Sequence, residues 1–412
     1  MRVISIQHRL AGLTSHHFNE AHGFRQELAR RGDEMVLLVN TQAEARIVDE
    51  LCARPVLDDP TFRLEWTFEE RSRRFVGMLH EHVDRLVKAG DRVLLTVSTQ
   101  LEAHALTRWL QELPRRKKPW IVVLFVSDRW NRSGRDEYER QAGEFRKLAA
   151  AVASLDAGDA RRMIFCALTE LLAEELSGLL GTHVDVAPIP LAYGDRAPAG
   201  VSNRGSARPR VAILGGTRRE KGSHLIPEII RACRSQVDVE LIVQLTNNTL
   251  TAEEVATLAA IAGEPHVSVI REAMALPDYH AALDGADVLL FPYEVIPYRK
   301  RTSGVFAEAV AYGKPVVATA GTWMAAQIER GRAAGTIFGD LDPDSIARAI
   351  ARTVAELEPL RRSAQALSAA WRREACLAAF VDFMERQIAR RSEDLEPRRG
   401  LLRRIFSLTA RR

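Results

Sequence analysis

The residues best suited to chemistry lie in a glycine-rich segment, GGTRREKGSHLIPEII, at positions 215–230. The segment directly follows RVAIL, a short apolar run typical of a strand. Glycines permit a tight turn and let the backbone approach a bound group. The cations Arg218, Arg219 and Lys221 precede a helix whose first N–H groups are free to face an anion. The pattern predicts a diphosphate-binding turn between a strand and a helix.

A second segment, DVLLFPYEVIPYRKRTSGVFAEAVAYGKPVVATA, covers residues 287–320. It begins as a buried strand, and a helix is predicted to start near Ser303 and Gly304, with its first amides pointing back towards a polar loop. Glu308 lies one turn further, in a stretch otherwise made of Val, Phe and Ala. It is either an ordinary solvated glutamate or, beside the positive end of the helix, an acceptor for ribose hydroxyl groups. We favour the second interpretation.

The elements that position these residues follow from a regular alternation of short apolar runs and amphipathic, helix-length segments. The apolar runs are RVISIQ (2–7), EMVLLV (34–39), RVLLTV (92–97), WIVVLFV (120–126), RVAILGG (210–216), VELIVQL (239–245), VSVIR (267–271), DVLLFPY (287–293) and KPVVATA (314–320). Near-continuous apolar runs are typical of parallel strands covered on both faces. The order predicts an α/β protein with two Rossmann-like, doubly wound domains.

A stretch rich in Pro, Gly, Ser and Ala at 188–209 marks a linker. We expect one domain over 1–190 and a second over 205–365. The helical segment 366–392 either packs under the second domain or crosses back onto the first. A basic tail covers 393–412.

Composition excludes several classes of protein. With 412 residues, 46% of them apolar, the chain can bury the cores of about two domains. Its four cysteines are scattered and form no Cys/His cluster, which argues against structural zinc and a disulfide framework. No apolar run approaches the length of about 20 residues that crosses a bilayer, and no signal segment is recognised. We therefore expect a cytoplasmic protein.

The positive charge is concentrated in one place. The formal net charge is +4, and removing the six arginines of residues 398–412 leaves −2. A nucleic-acid-binding body is not indicated, because its positive charge is expected across a folded face. The tail is either a solvated end or, since Leu401, Ile405 and Phe406 interleave the arginines, a contact to the inner face of a membrane.

Together the two segments resemble the retaining glycosyltransferases of the GT-B fold, specifically the family 4 group. In that family the first motif reads Gly-Arg followed five residues later by Lys-Gly. Lys221 and its following glycine match, whereas Gly216 stands at the arginine position. SGVFAEAVAYGKPVV at 303–317 matches the second motif, in which the glutamate corresponding to Glu308 holds the donor ribose. Lys300 stands where the family has a carboxylate that contacts the donor sugar.

The resemblance implies two Rossmann-like domains that face a central cleft, with 1–190 on the acceptor side and 205–365 binding the nucleotide sugar. It also implies transfer of a hexosyl group, with retention of configuration, from a UDP- or GDP-sugar to a glycan or lipid-linked acceptor in bacterial surface polysaccharide synthesis. No cofactor or metal ion is expected, because no DxD-like carboxylate pair is placed to bind one. The implied donor-binding residues are Gly215, Gly216, Arg218, Arg219, Lys221, Glu272, Ala273, Ser303, Gly304, Val305 and Glu308. Lys221 would be catalytic, because it would stabilise the charge that develops on the leaving diphosphate.

The acceptor side has weaker signals. His16, His17 and Asn19 occupy the first loop and helix start, where ligands collect at the carboxyl edge of such a sheet. Asp128 and Arg129 follow the buried run WIVVLFV. Asp128 is a candidate catalytic residue that orients an acceptor hydroxyl group, and Arg129 a candidate acceptor contact. Each of these side chains also suits a capping or surface role.

Other functions stay open. The departures at Gly216 and Lys300 also fit a degenerate, non-catalytic subunit of the same fold. Sugar-nucleotide epimerases and phosphorylases use that fold for different chemistry. A binding protein that closes on a small ligand is an alternative outside the enzymes, although such proteins are commonly exported.

Overall fold

The computed structural model describes residues 1–13, 16–61, 63–127, 135–192, 208–245, 255–256, 259, 261–272 and 274–393. The chain divides into two compact units. Unit 1 is built on Met1–Val126, Ser133–Pro190 and the C-terminal segment from Leu377. Unit 2 is built on Leu191–Cys376.

Unit 1 contains a seven-stranded sheet in the order β3-β2-β1-β4-β5-β6-β7, and every neighbouring pair is parallel. Its strands are β1 Arg2–Gln7, β2 Glu34–Asn40, β3 Arg54–Leu57, β4 Arg92–Ser98, β5 Trp120–Phe125, β6 Met163–Ala167 and β7 Val184–Val186. The helices between them are α1 His16–Arg30, α2 Ala45–Glu50, α3 Phe68–His82, α4 Gln100–Glu112, α5 Arg135–Ala153, α6 Ala157–Arg162 and α7 Glu170–Leu180. A short 3₁₀ turn covers Arg115–Lys117. All six residues of β5 are buried, as expected for a strand with helices on both faces of its sheet.

Unit 2 contains a six-stranded parallel sheet in the order β10-β9-β8-β11-β12-β13. Its strands are β8 Arg210–Ile213, β9 Glu240–Gln244, β10 Val267–Ile270, β11 Val288–Phe291, β12 Val316–Thr319 and β13 Gly335–Phe338. Its helices are α8 Ile226–Gln236, α9 Leu276–Gly285, α10 Val295–Tyr298, α11 Gly304–Ala311, α12 Trp323–Glu329, α13 Pro343–Ala355 and α14 Leu357–Glu374. Short 3₁₀ turns cover Arg219–Lys221, Ser223–Leu225 and Ile261–Gly263.

Each sheet has one point where the chain changes direction across the sheet. In unit 1 the chain leaves β1 towards β2 and leaves the neighbouring strand β4 towards β5, on the opposite side. In unit 2 the neighbouring strands β8 and β11 are related in the same way. Loops that diverge at such a switch point leave a crevice at the carboxyl ends of the strands, where α/β proteins bind ligands.

The last described helix, α15 Leu377–Glu393, belongs to unit 1 although it follows unit 2 in the chain. Its Phe380 is fully buried and packs edge-on against Phe24 of α1, with ring centroids 5.6 Å apart. Arg92 at the start of β4 donates two hydrogen bonds to Glu385, at 2.8 and 2.5 Å. The helix therefore supplies both core and ion pairs to the N-terminal sheet.

In the described part of the chain, no helix combines the length and the apolarity needed to cross a membrane. The four cysteines are present as free thiols.

We predict that Phe380→Ala destabilises the protein by about 3–5 kcal/mol, because it removes a fully buried ring and leaves a cavity against Phe24. Urea unfolding of the full chain measures the change. Arg386→Ala, an exposed position on the same helix, is the control and should cost less than about 0.5 kcal/mol. Equal effects of the two substitutions would show that α15 is not part of the core.

Candidate functional site

The two segments singled out in the sequence meet at the switch point of the second sheet. The basic loop, residues 214–225, follows β8, and the aromatic loop, residues 292–303, follows β11. The backbone N–H of Glu294 donates to the carbonyl oxygen of Glu220 at 2.9 Å. This hydrogen bond joins the backbones of the two loops.

Gly222 allows the loops to approach this closely. It has a φ of 75°, in the left-handed region, and a Cβ atom there would overlap the carbonyl oxygen of Pro292. Any side chain at this position would therefore meet both backbone strain and a backbone clash. The glycine directly follows Lys221, so the same contact places the lysine.

The Lys221 ammonium group lies against the first glycine of the basic loop. Gly215 has a φ of 101°, and its N–H donates to the Gln244 side-chain oxygen at 2.7 Å. A Cβ atom on Gly215 would lie 3.3 Å from Nζ of Lys221 and 3.0 Å from Cγ2 of Val305. Nζ also lies 5.6 Å from the centre of the Tyr293 ring. Lys221 is thus placed beside the first turn of α11.

The start of α11 lies near this cation. Ser303 caps the helix, and its buried hydroxyl group accepts a hydrogen bond from the N–H of Phe306 at 3.3 Å. Gly304 is exposed. The first N–H groups of a helix have no acceptor within the helix, and the helix dipole makes this end positive. Together with Lys221, they make the crevice favourable for an anion.

Glu308 lies one turn into α11 and is held by a tyrosine from another helix. The Tyr279 hydroxyl group in α9 donates to Oε2 of Glu308 at 2.5 Å. Burial raises the pKa of Glu308 from 4.5 to about 7, and the Tyr279 hydrogen bond opposes the shift. Burial, and then the negative charge of Glu308, raise the pKa of Tyr279 well above its ordinary value of 10.0. The pair presents an oriented carboxyl group whose second oxygen can accept further hydrogen bonds.

The two loops together carry six Lys and Arg side chains and two carboxylates. Glu220 lies between two of the cations, with its Oε1 3.9 Å from the guanidinium groups of both Arg218 and Arg301. The Arg301 guanidinium also lies 5.3 Å from the centre of the Tyr298 ring. Such an excess of positive charge raises the local concentration of an anionic ligand.

The other predicted donor-side residues have different positions. Gly216 and Arg219 are exposed in the basic loop, and Lys300 is half-buried in the aromatic loop. Glu272 is exposed beyond β10, two strands away from β8. Ala273 lies outside the described residues.

Three of the predicted acceptor-side residues, His16, His17 and Asn19, belong to unit 1. His16 is the first residue of α1, and His17 and Asn19 are half-buried in its first turn. Asp128 and Arg129 lie outside the described residues. Among the residues that are described, no group of three His, Cys, Asp or Glu side chains is arranged to hold a metal ion.

Three residues of the site are not predicted from the sequence. Tyr279 donates to Glu308, Tyr293 lies beside Lys221, and Gln244 accepts the N–H of Gly215. Tyr279 stands near the start of a predicted helix and Tyr293 just after a predicted strand. Only the position after a strand is a usable signal, because side chains there reach the ligand edge of the sheet.

The architecture is that of the GT-B fold, and comparison with solved structures confirms the predicted fold class. A glycosyltransferase from Rickettsia africae aligns with a TM-score of 0.65 at 10% identity, over 96% of this chain and 99% of that chain. HepE from Anabaena in complex with UDP-glucose aligns with a TM-score of 0.60 at 12% identity, over 96% and 100%. Sucrose-phosphate synthase from Thermosynechococcus elongatus aligns with a TM-score of 0.63 at 13% identity, over 99% and 100%.

Most of unit 2 also matches a known protein family in sequence. Residues 208–356, which include both loops, match the family of glycosyl transferases group 1. This match confirms the predicted resemblance to the group 1 glycosyltransferases over that part of the chain. No curated protein matches the chain at a significant level.

We predict that Glu308→Gln makes the unliganded protein more stable at high pH. In the unfolded chain the carboxyl group titrates near 4.5, and in the folded protein near 7. Below pH 4.5 it is neutral in both states, and above pH 7 the folded state carries a poorly solvated charge. The stability that the group contributes is therefore lost as the pH rises from 4.5 through 7.

Glutamine has no such charge, so the variant should exceed the wild type by about 2 kcal/mol at pH 8 and by little at pH 4.5. Urea unfolding across this pH range measures the difference. Glu329→Gln, at an exposed position in the same unit, is the matched control and should leave the pH profile unchanged. If the stability of Glu308→Gln changed with pH in the same way as that of the wild type, the raised pKa of Glu308 would be wrong.

A second prediction concerns the contact between the loops. Gly222→Ala should cost about 3 kcal/mol, because the new methyl group meets both an unfavourable φ and the Pro292 carbonyl group. Gly331→Ala is the matched control in the same unit, since Gly331 has a similar φ of 67° and nothing within 4 Å of its Cβ position. It should cost about 1 kcal/mol. Equal costs in urea unfolding would show that the loops part easily.

Proposed function

We propose that this protein is an active glycosyltransferase that moves a hexosyl group from a nucleoside-diphosphate sugar to an acceptor hydroxyl group, with retention of configuration. The observation that carries the proposal is the position of the Lys221 ammonium group beside Gly215, where Val305 in the first turn of α11 also lies. A cation and a helix start that converge at a switch point form a site suited to a diphosphate.

The proposed role of these groups is to stabilise the leaving group. As the bond between the sugar and the diphosphate breaks, negative charge grows on the departing phosphate oxygen. Lys221 and the N–H groups at the start of α11 are fixed in place before the reaction, so they need no reorganisation as the charge develops. One such well-placed contact lowers the barrier by about 3 kcal/mol. The departing phosphate can accept the proton of the acceptor hydroxyl group, so no protein base is assigned.

Glu308 is proposed to bind the donor ribose. One of its oxygens accepts the Tyr279 hydroxyl group, which fixes the orientation of the carboxyl group. The other oxygen is available for a ribose hydroxyl group. Hydrogen bonds from the hydroxyl groups would favour the ionised form and lower the pKa of Glu308 from about 7.

The finer features of the donor and acceptor are also proposals. UDP-glucose, bound to HepE from Anabaena, makes a UDP-sugar the first donor to test, and a GDP-sugar is the alternative. Lys300 stands where the resembling family has a carboxylate, so an acidic donor sugar belongs in the same panel. The acceptor is proposed to be a glycan or a lipid-linked glycan. Contact with the inner face of a membrane is proposed for residues 398–412, which lie outside the described part of the chain.

The first experiment is a thermal-shift panel with UDP, GDP, ADP and CMP. A ligand at about 100 times its Kd stabilises the folded state by about 2.7 kcal/mol, which the scan detects. We expect a selective shift with one nucleoside diphosphate. The matching sugar conjugates, including UDP-glucose, GDP-mannose and UDP-glucuronate, are then assayed for hydrolysis and transfer. No shift with any nucleotide at millimolar concentration would contradict a donor site.

In the same assay we predict that Lys221→Ala lowers turnover by about 100-fold, because one stabilising contact to the leaving group is lost. Lys88→Ala, which removes an exposed lysine in unit 1, is the control and should not change turnover. Unaltered turnover in Lys221→Ala would remove this residue from the diphosphate site. Nucleotide binding without any turnover in the wild type would favour the degenerate subunit.

A further inference from the structure

Unit 1 has its own switch point, and a buried polar group lies there. Gln7 ends β1, and its side-chain amide donates to the Thr96 hydroxyl group in β4 at 2.9 Å. Both side chains are buried, with 4% and 0% of their surface exposed. The Glu20 carboxyl group of α1 lies beside this pair, close enough for both side chains to favour its charged form. Three polar side chains thus converge at the carboxyl ends of β1 and β4.

The position of the Glu20 carboxyl group is unfavourable for the stability of the folded protein. The later residues on the inner side of α1, Phe24 and Leu28, are apolar and buried. Burial raises the pKa of Glu20 to about 7, and Thr96 and Gln7 only partly oppose this shift. Within the described residues, no cation forms an ion pair with Glu20, and its Oε1 is buried without a hydrogen-bond donor. An apolar side chain would avoid this desolvation cost, so stability does not explain the carboxyl group.

A second carboxylate at the same edge of the sheet, that of Glu102, has a structural role and serves as a comparison. Glu102 forms an ion pair with Arg9, lies 3.0 Å from Nε2 of His8 and accepts the N–H of Thr99 at 2.8 Å. Burial alone would raise its pKa, but Arg9, His8 and Thr99 hold it well below the ordinary value of 4.5. Glu102 is therefore satisfied by the protein itself, whereas Glu20 is not.

The chemistry of the Glu20 group selects the kind of ligand. A carboxyl group beside a hydroxyl group and an amide can both accept and donate hydrogen bonds. It would repel a phosphate, and it lacks the further carboxylate, imidazole or thiolate ligands of a metal site among the described residues. A neutral ligand rich in hydroxyl groups fits best.

We propose that Glu20, together with Gln7 and Thr96, binds a hydroxyl group of the acceptor sugar in unit 1. This inference rests on the proposed glycosyl transfer, and it assigns the acceptor-recognition role to a residue of α1 other than the predicted His16, His17 and Asn19. Glu20 is a binding residue in this proposal, because it positions the sugar and takes no part in bond breaking.

The test uses the full-length wild type, Glu20→Ala and the isosteric Glu20→Gln. The probes are methyl α-D-glucopyranoside and methyl α-D-mannopyranoside, added at up to about 100 mM because single sugars bind weakly. Saturation-transfer NMR reports glycoside binding, and the UDP or GDP thermal shift reports the donor site. Glu27→Gln, a substitution of the same type two turns along α1, is the control, and circular dichroism checks that each variant is folded.

We expect the wild type and Glu27→Gln to bind at least one glycoside. Glu20→Ala should bind it about tenfold more weakly, and Glu20→Gln should lie between them, because an amide keeps one acceptor oxygen. The nucleotide shift should be the same in all four proteins. Equal glycoside affinity in the wild type and Glu20→Ala, or no glycoside binding by the wild type, would overturn the proposal.

The outcomes also separate this inference from the proposed function. If the substitutions at Glu20 abolish the nucleotide shift and leave glycoside binding unchanged, Glu20 belongs to the donor site and the proposal is wrong. If the wild type shows no nucleotide shift but loses glycoside binding on substitution of Glu20, the sugar site stands and glycosyl transfer does not.

Discussion

The close approach of two backbones at Gly222 is the constraint on which the candidate site depends. Parallel strands bring their loops to the same edge of a sheet, but they do not by themselves make the loops touch. The missing side chain at Gly222 lets the basic loop rest on the Pro292 carbonyl group, and one backbone hydrogen bond then joins the loops. Lys221 directly precedes Gly222, so this contact also places the backbone of the lysine. A long, flexible side chain thereby acquires the fixed position that electrostatic stabilisation of a leaving group requires.

The carboxyl groups of Glu102, Glu308 and Glu20 illustrate how the surroundings of a side chain set its chemistry. Glu102 is surrounded by a cation, an imidazole and a backbone N–H, and its charge is held by the protein. Among the described residues, a tyrosine donates a hydrogen bond to Glu308, and a threonine and a glutamine lie beside Glu20. The two poorly satisfied groups titrate near neutral pH, so each can change its charge when a ligand replaces the missing partners. Both lie in helices that pack near the switch point of a sheet.

Much of this architecture could be predicted because its signals are local. All nine apolar runs form strands, since a strand covered on both faces needs little else than Val, Ile and Leu. Residue type alone likewise indicates a turn at Gly222 and the start of a helix at Ser303. The apolar runs do not predict strands β3, β6, β7 and β13. RPVL in β3 carries a proline and an arginine, and VDV in β7 is only three residues long.

The contacts that tune the site could not be predicted, because they join residues distant in sequence. Tyr279 reaches Glu308 across 29 positions, from a helix whose place depends on the order of strands. Glu20 looks like a surface glutamate in a helix until β4 is placed beside β1, which brings Thr96 under it. From sequence alone the neighbouring His16 and His17 are stronger candidates than Glu20, since imidazole is a common ligand. The pairing of strands, and not the type of residue, decides which carboxyl group is buried.

The position of α15 in the chain, after unit 2, affects how the protein folds during its synthesis. A ribosome delivers every element of unit 2 before it delivers this helix, whose Phe380 and Met384 fill the core of unit 1. The N-terminal sheet is thus synthesised first, but the core of unit 1 cannot be completed until α15 has been synthesised. Until then part of the apolar surface of the sheet is uncovered. Unit 2 has all of its elements earlier, so it can complete its core first, against the usual order in which domains mature from the N-terminus. Exposed apolar surface promotes aggregation, so unit 1 is prone to aggregate in the interval before α15 has been synthesised.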